Sequence, residues 1–192
     1  MGSWGSQGES QKKKAGYEYL LAYKITVPIY DYTVEFCRRW IDYKSRTKDQ
    51  MEQAARSGMT NIPEGYIQKS LASYIKLAGV AAGSQEELLK DYQAFSRQRS
   101  LPIWEKERVV REVREVGEVW NIMKQTPTLP DSPHFPDLPK DPEIAVNLMI
   151  TLVNQASYLI KRLVVSLEDK HTREGGYSEN LFKKRMAFRS KN

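Results

Sequence analysis

Apolar residues recur every three or four positions along most of this chain, and this spacing restricts its fold more than any other feature. The repeat is most regular over 142–170, at Ala145, Met149, Leu152, Ala156, Leu159, Leu163 and Leu167. Steps of three or four place side chains on one face of an α-helix, whereas a half-buried strand alternates with period two. No extended region of the sequence alternates in that way. The sequence therefore predicts an all-α protein.

Five helical segments follow from the same spacing, at about 19–43, 48–68, 71–97, 103–124 and 142–170. Proline and hydroxyl residues mark where these segments begin and bend. Pro28 predicts a kink or a late start in the first segment. Thr47 and Ser70 are the expected N-caps of the second and third segments. Pro63 and Gly65 predict a bend or short break near the end of the second.

Six prolines between 126 and 142 exclude a helix or a central strand there, because proline lacks the N–H that both need. We predict an extended strap with Phe135 and Leu138 as its anchors. The helix after it has an apolar face too wide for one neighbour. Two partners fit that face: the 103–124 segment, whose apolar side consists of Val109, Val110, Val113, Val116, Val119 and Trp120, or another subunit.

The net charge of +6 is concentrated at the two ends of the chain. We divide the chain into a disordered leader (1–16), a helical bundle (17–170) and a basic C-terminal tail (171–192). Basic ends suit a polyanionic partner, and they can equally serve as solubilising tails. No signal-peptide core and no run of eighteen apolar residues occurs, so the expected location is the bacterial cytoplasm, without membrane contact.

Residues that could support catalysis are few. A hydrolase or transferase site needs a nucleophile, a base and a group that orients the base. The chain has two histidines, His134 and His171, and neither forms part of a recognisable catalytic motif. One cysteine and two histidines do not supply a familiar zinc pattern, and we interpret Cys37 as a core thiol. We therefore expect no enzymatic activity, no metal and no cofactor.

Small residues in the middle of two helical segments predict a close contact between them. Glycine costs about 1 kcal/mol relative to alanine inside a helix, so its presence implies a benefit. The residues expected to face each other in this contact, with a buried hydrogen bond, are Ser57, Gly58 and Asn61 on the second segment and Gly79, Gly83 and Ser84 on the third. A ligand pocket is the alternative interpretation.

Two motifs resemble a family of bacterial four-helix-bundle proteins, first noted as products of intervening sequences in 23S rRNA genes. Residues 50–65, QMEQAARSGMTNIPEG, are similar to that family's Q-L-R-R-A-A-x-S-I-x-x-N-I-A-E-G pattern. Residues 83–88, GSQEEL, are similar to its G-S-x-x-E-L pattern. Further stretches resemble the branch with a four-helix-bundle suffix region: 53–58, 91–102, 154–159 and 174–179.

The resemblance implies an antiparallel up-and-down four-helix bundle that assembles into a homo-oligomer, often a pentamer. In that alignment 142–170 is the closing helix, and about 103–141 is an insertion that carries a helix and the proline-rich strap. The family includes the accessory protein of diversity-generating retroelements, which partners a reverse transcriptase and binds nucleic acid. A similar accessory role, with RNA or DNA as ligand, is the expectation here.

This chain departs from the family at a pair of arginines, which are Glu52 and Gln53 here. Because phosphate contacts dominate affinity for nucleic acid, a polyanion site is expected mainly at the C-terminal end. The candidate nucleic-acid-binding residues are Lys48, Arg56, Lys69, Lys161, Arg162, Lys183, Lys184, Arg185 and Arg189. An oligomeric protein–protein scaffold, with no nucleic-acid role, is the alternative hypothesis.

Overall fold

The computed structural model describes residues 14–190, and that part of the chain is helical, with no strand. The prediction of an all-α protein is confirmed. After a short 3-10 helix, Gly16–Tyr19, the described residues form α1 (Leu21–Lys24), α2 (Thr26–Trp40), α3 (Arg46–Tyr66), α4 (Leu71–Gln98), α5 (Lys106–Glu112), α6 (Arg114–Gln125), α7 (Pro142–Glu174) and α8 (Tyr177–Arg189). Residues 1–13 of the predicted leader and 191–192 of the predicted tail lie outside the described residues.

The main core lies among α2, α3, α4 and α7. Helix α3 packs on α4, α4 packs on α7, and α2 contacts both α3 and α7. Phe36 on α2 lies at its centre, with ring contacts to Tyr92 and Phe95 on α4 at centroid distances of 4.9 and 4.7 Å. These contacts are edge-to-face, the geometry that aromatic pairs favour. Burial of these apolar faces is the main force holding the four helices together.

The helix ends lie close to the positions predicted from prolines and capping residues, but the N-cap of α3 and its course near Pro63 differ from the prediction. The first predicted helix is split at Ile25, and Pro28 lies in the first turn of α2, where a missing N–H costs little. Helix α3 begins at Arg46, and its N-cap is Ser45 rather than Thr47; the Ser45 hydroxyl accepts the Thr47 N–H at 3.2 Å. Of the bend or short break predicted near Pro63 and Gly65, the break is absent, because α3 runs through Pro63 without interruption and ends at Tyr66.

The 103–124 segment forms two helices instead of one, since Val113 leaves the helical conformation with φ −107° and ψ 88°. The segment packs along α7, where the indole N–H of Trp104 donates to Glu143 and that of Trp120 donates to Gln155, both at 2.7 Å. It is therefore the partner for the wide face of α7. Val110 was predicted to lie on the apolar side of this segment, and that prediction is wrong, because Val110 is 61% exposed.

The proline-rich strap, residues 126–141, is held through its carbonyl groups. Leu138 is buried and Phe135 packs against the core, so both predicted anchors are confirmed. Lys24 donates to the carbonyls of Met123 and Thr126 at 2.9 and 2.7 Å, where α6 ends and the strap begins. Two further donors reach the strap from α2: Tyr32 bonds the Pro136 carbonyl at 2.6 Å, and Arg39 bonds those of Leu138 and Pro139 at 2.9 and 3.1 Å. Because prolines lack N–H groups, the strap has fewer backbone donors than acceptors, and all three side chains that hold it are donors.

Helix α7 begins as the sequence predicts, with Pro142 in its first turn. The structure adds Asp141 as its N-cap. It extends four residues past the predicted end at 170 and stops at Gly175, whose φ of 77° favours glycine. By length and composition alone, Pro142–Arg189 contains a window apolar enough to cross a membrane, but 44% of that window is buried inside the protein. One helix of this kind is weak evidence for a membrane span, because the buried core helix of a soluble protein passes the same test.

Candidate nucleic-acid interface

Helix α8 extends from the rest of the molecule, and we call it the C-terminal arm (Tyr177–Arg189). No residue of the arm is buried. The turn that leads into it is fixed by side chains: the Glu179 carboxylate accepts the Gly176 N–H at 3.2 Å, and Asn180 donates to the Glu174 carbonyl at 3.1 Å. The arm is thus joined to α7 by a hydrogen-bonded turn, and all its residues except the half-buried Asn180 are exposed to solvent.

Positive charge dominates the arm. Lys183, Lys184, Arg185 and Arg189 are exposed, against the single carboxylate of Glu179. Within residues 14–190 none of the four cations forms an ion pair. Their charge is therefore available to a partner in solution, and attraction of that kind is the main source of affinity for phosphate backbones.

Aromatic rings lie between these cations. Phe182 is 64% exposed and Phe188 is 69% exposed, and Tyr177 at the start of the arm is about half exposed. Sequence reasoning identified the cations and missed the rings. The signal was present in the order of the residues, because Phe182-Lys183-Lys184-Arg185-Met186-Ala187-Phe188-Arg189 interleaves rings and cations within two helical turns. Such interleaving is typical of surfaces that bind single-stranded nucleic acid.

Two further candidate cations lie on the outer face of α7, away from the arm. Lys161 is 3.8 Å from the Glu86 carboxylate, and the Arg162 guanidinium lies over the Tyr158 ring at 6.0 Å. They line a shallow groove with Val165. About 20 Å of continuous helix separates Lys161 from the end of α7. The structure therefore does not bring this pair together with the cations of the arm.

The remaining candidate cations are associated with α3. Lys48 is ion-paired with Glu52 at 2.7 Å, which offsets its charge locally. Arg56 is exposed on α3, and Lys69 is exposed in the turn that follows it. Neither forms an ion pair among the residues that the structure describes. These positions are scattered, and they make a weaker electrostatic site than the arm.

The predicted contact between small residues exists in part. The Ser57 and Ser84 hydroxyls are hydrogen-bonded at 2.8 Å across α3 and α4, and Asn61 donates to Ser57 at 2.9 Å. Gly58 lies close to α4 in this contact, because a Cβ there would overlap the side-chain amide of Gln85 unless that side chain moved.

Gly79 and Gly83 are not part of that contact, which corrects the prediction. A Cβ at either position would meet nothing within 4 Å. Both lie two residues from the buried Ala81, which places them on the opposite side of α4. The hydrophobic period located α4 correctly, but its two glycines lie on the face opposite to the one that contacts α3.

Other reactive or charged side chains lie away from the arm. Glu168 and His171 have the Glu-x-x-His spacing found in di-metal bundles, yet residues 14–190 contain no group of three or more side chains placed to hold a metal ion. Cys37 is fully buried, as predicted, and burial raises the pKa of its thiol to about 12. A broad groove between α3 and α4 has mixed charge, with Arg46 and Lys90 near Asp49, Glu87 and Asp91.

Comparisons with known proteins give no relative from which a function could be transferred. No family model matches the chain, and neither a curated protein nor a solved structure matches it. The resemblance to the four-helix-bundle family stays a prediction that depends on residues 50–65 and 83–88. The function of the arm is therefore inferred from its own geometry and charge.

Proposed function

We propose that this protein is a non-enzymatic nucleic-acid-binding protein and that the C-terminal arm makes the principal contact. One observation carries the proposal: four exposed cations, unpaired within the described residues, lie beside the exposed rings of Phe182 and Phe188 on a helix that contributes nothing to the core. A helix kept only for stability would bury apolar side chains. The arm instead presents them to solvent beside its charges.

The proposed framework for the arm is an antiparallel up-and-down four-helix bundle of α2, α3, α4 and α7. The pattern of contacts supports it, because α2 touches both α3 and α7 and so completes a ring of four helices. Only residues 41–45 separate α2 from α3, and only residues 67–70 separate α3 from α4. Connections of that length favour antiparallel neighbours. In this arrangement α5, α6 and the strap are the insertion, about 103–141.

We also propose that the protein forms a homo-oligomer, with a pentamer suggested by the family resemblance. The outer face of α4 supports self-association, since Gly79, Val80 and Gly83 are exposed there and let another helix approach closely. An oligomer would present several arms to one strand and raise its avidity without new contacts. A bacterial cytoplasmic role as accessory to a reverse transcriptase is the specific form of this proposal, and it depends on the resemblance alone.

An oligomeric scaffold that binds another protein is the competing proposal. The observation in its favour is the apolar surface of the arm, where Leu181, Phe182, Met186 and Phe188 are all exposed. Under this proposal the cations only keep the arm soluble. The two proposals differ in their salt dependence, because release of counterions from phosphates makes nucleic-acid binding steeply salt-dependent.

The test is fluorescence anisotropy with labelled RNA and DNA oligonucleotides between 50 and 200 mM salt. We expect affinity to fall steeply with salt, and Lys183→Ala/Lys184→Ala/Arg185→Ala to weaken binding for all sequences alike. Each lost phosphate contact should reduce the slope of log K against log salt by about 0.7 for single strands.

A matched control removes the same charge elsewhere. Lys90→Ala/Arg111→Ala/Arg114→Ala takes away three cations that already have carboxylate partners within 4 Å. The control should bind almost as well as the wild type. Negligible binding by the wild type at 50 mM salt, or equal loss in the two triple variants, would overturn the proposal.

A further inference from the structure

We propose that the C-terminal arm selects single-stranded nucleic acid over duplex, with bases stacked on Phe182 and Phe188 and phosphates held by the cations beside each ring. This inference rests on the proposed function and adds the class of ligand. It starts from the positions of the residues around the arm, since each ring has a cation within one helical turn.

Ring and cation are neighbours because residues three or four apart lie on the same side of a helix. Phe182 precedes Arg185 by three positions, and Phe188 follows Lys184 by four and Arg185 by three. A base stacked on either ring therefore has a positive charge within reach of its own phosphate. The two rings are about 9 Å apart along the helix axis, so they serve successive parts of one strand.

The arrangement of the apolar side chains argues against a flat apolar partner. At 100° per residue, Leu181 and Phe188 lie on one side of the arm, while Phe182 and Met186 lie on another side. A helix that binds a membrane surface or a single hydrophobic groove concentrates its apolar residues on one face. A flexible single strand can follow rings around the circumference, because every base offers a π-face wherever it meets one.

Duplex nucleic acid does not fit the arm equally well, because base faces inside a duplex are already stacked on one another. Only the phosphate contacts of the arm would then be used, and the exposed rings would contribute nothing. A purely electrostatic arm would bind duplex at least as well as a single strand, since the duplex carries more charge per unit length. Preference for a single strand is thus the signature of the rings.

The experiment compares the full-length protein and its arm variants on a 20-nucleotide single strand and on its duplex. We expect the wild type to prefer the single strand by about tenfold or more. Phe182→Ala and Phe188→Ala should each weaken single-strand binding about tenfold. The slope of affinity against salt should stay unchanged, because the phosphate contacts remain. Met186→Ala, which removes an exposed apolar side chain without a ring, should change affinity less than twofold.

Leucine substitutions separate stacking from apolar contact. Phe182→Leu and Phe188→Leu keep apolar surface and remove the ring, so they should weaken binding as much as the alanine variants do. Circular dichroism should show unchanged helix content, because the arm buries no residue. Full binding by the leucine variants would overturn stacking, and equal affinity for strand and duplex would overturn the preference.

Failure of this inference is distinguishable from failure of the proposed function. Salt-dependent binding that ignores strandedness and ring substitutions would leave the arm as an electrostatic nucleic-acid site and reject stacking. Absence of binding to any nucleic acid at low salt would reject both. Ring-dependent binding to vesicles of phosphatidylserine and phosphatidylcholine, with ring-independent binding to single strands, would assign the rings to a membrane and overturn the inference.

Discussion

At the scale of single residues, glycines that lower helix stability by the same amount have different surroundings in the fold. Glycine lowers helix stability by about 1 kcal/mol relative to alanine wherever it occurs inside a helix. Gly58 offsets this cost, because it leaves room for the buried Gln85 side chain between α3 and α4. Gly117 in α6 has no neighbour within 4 Å of an added Cβ and offers no comparable benefit in the described structure.

Alanine substitutions should therefore have opposite effects at these two positions. Gly58→Ala forces Gln85 from its place in a packed interior, and we expect it to lower the free energy of unfolding by about 1–3 kcal/mol. Gly117→Ala should raise it by up to about 1 kcal/mol. Urea unfolding followed by circular dichroism measures both. A neutral or stabilising Gly58→Ala would show that the Gln85 side chain moves aside at little cost, and it would contradict the role assigned to Gly58.

At the scale of elements, the strap is positioned by three donors spaced along α1 and α2. Lys24 is 3% exposed, and burial lowers the pKa of its ammonium group. Its ammonium lies at the C-terminal end of α6, where free carbonyls concentrate partial negative charge. Arg39 is oriented by Glu35, whose pKa is lowered to about 2 by hydrogen bonds from Arg38 and Arg39. Side chains of two helices thus determine the path of a segment that has no regular structure.

Removal of the buried lysine should loosen the junction between α6 and the strap. Lys24→Met keeps the side-chain length but leaves the Met123 and Thr126 carbonyls without their donor, at an expected cost of about 1–3 kcal/mol. Urea unfolding should show this loss, together with faster proteolysis within 126–141. Lys44→Met is the control, since Lys44 is exposed and donates no side-chain hydrogen bond within residues 14–190. Equal stability of the two variants would contradict the proposed role of Lys24.

At the scale of the whole molecule, some apolar helix faces are covered by other helices of the same chain and others are exposed to solvent. The wide face of α7 is covered by α5 and α6, so its width no longer argues for another subunit. The outer face of α4 remains uncovered, with Val80 exposed between Gly79 and Gly83. Self-association is therefore argued from α4, whereas the sequence had suggested α7.

Light scattering after size exclusion tests whether the protein self-associates through the outer face of α4. We expect a mass that is a multiple of the 22.2 kDa chain at micromolar concentration. Val80→Glu should reduce it to a single chain, because a charge buried in an interface without a partner is strongly unfavourable. Val110→Glu, at an exposed apolar position on α5, should leave the mass unchanged. A wild-type mass of one chain would contradict self-association.

The prediction succeeded where a signal is local and repeated. Steps of three and four located α3, α4 and α7 to within a few residues, and the prolines located the strap with its anchors Phe135 and Leu138. It failed where the answer depends on a distant neighbour. Gly79 and Gly83 were assigned to a contact that they do not make, because small size is the same whether a residue faces another helix or water. The rings of the arm were missed, because aromatic residues are normally expected to be buried.

From the sequence it follows that this protein is helical, where its long helices and its strap lie, and that positive charge is concentrated in its basic C-terminal residues. Those properties follow from hydrophobic period, from the missing N–H of proline and from composition, all of which are read along the chain. Only the packed fold shows which side of α4 is buried, which segment covers α7, and that nearly every residue of the arm is exposed. These outcomes depend on contacts between residues far apart in sequence. Which side chains become buried is decided only when all the helices pack together.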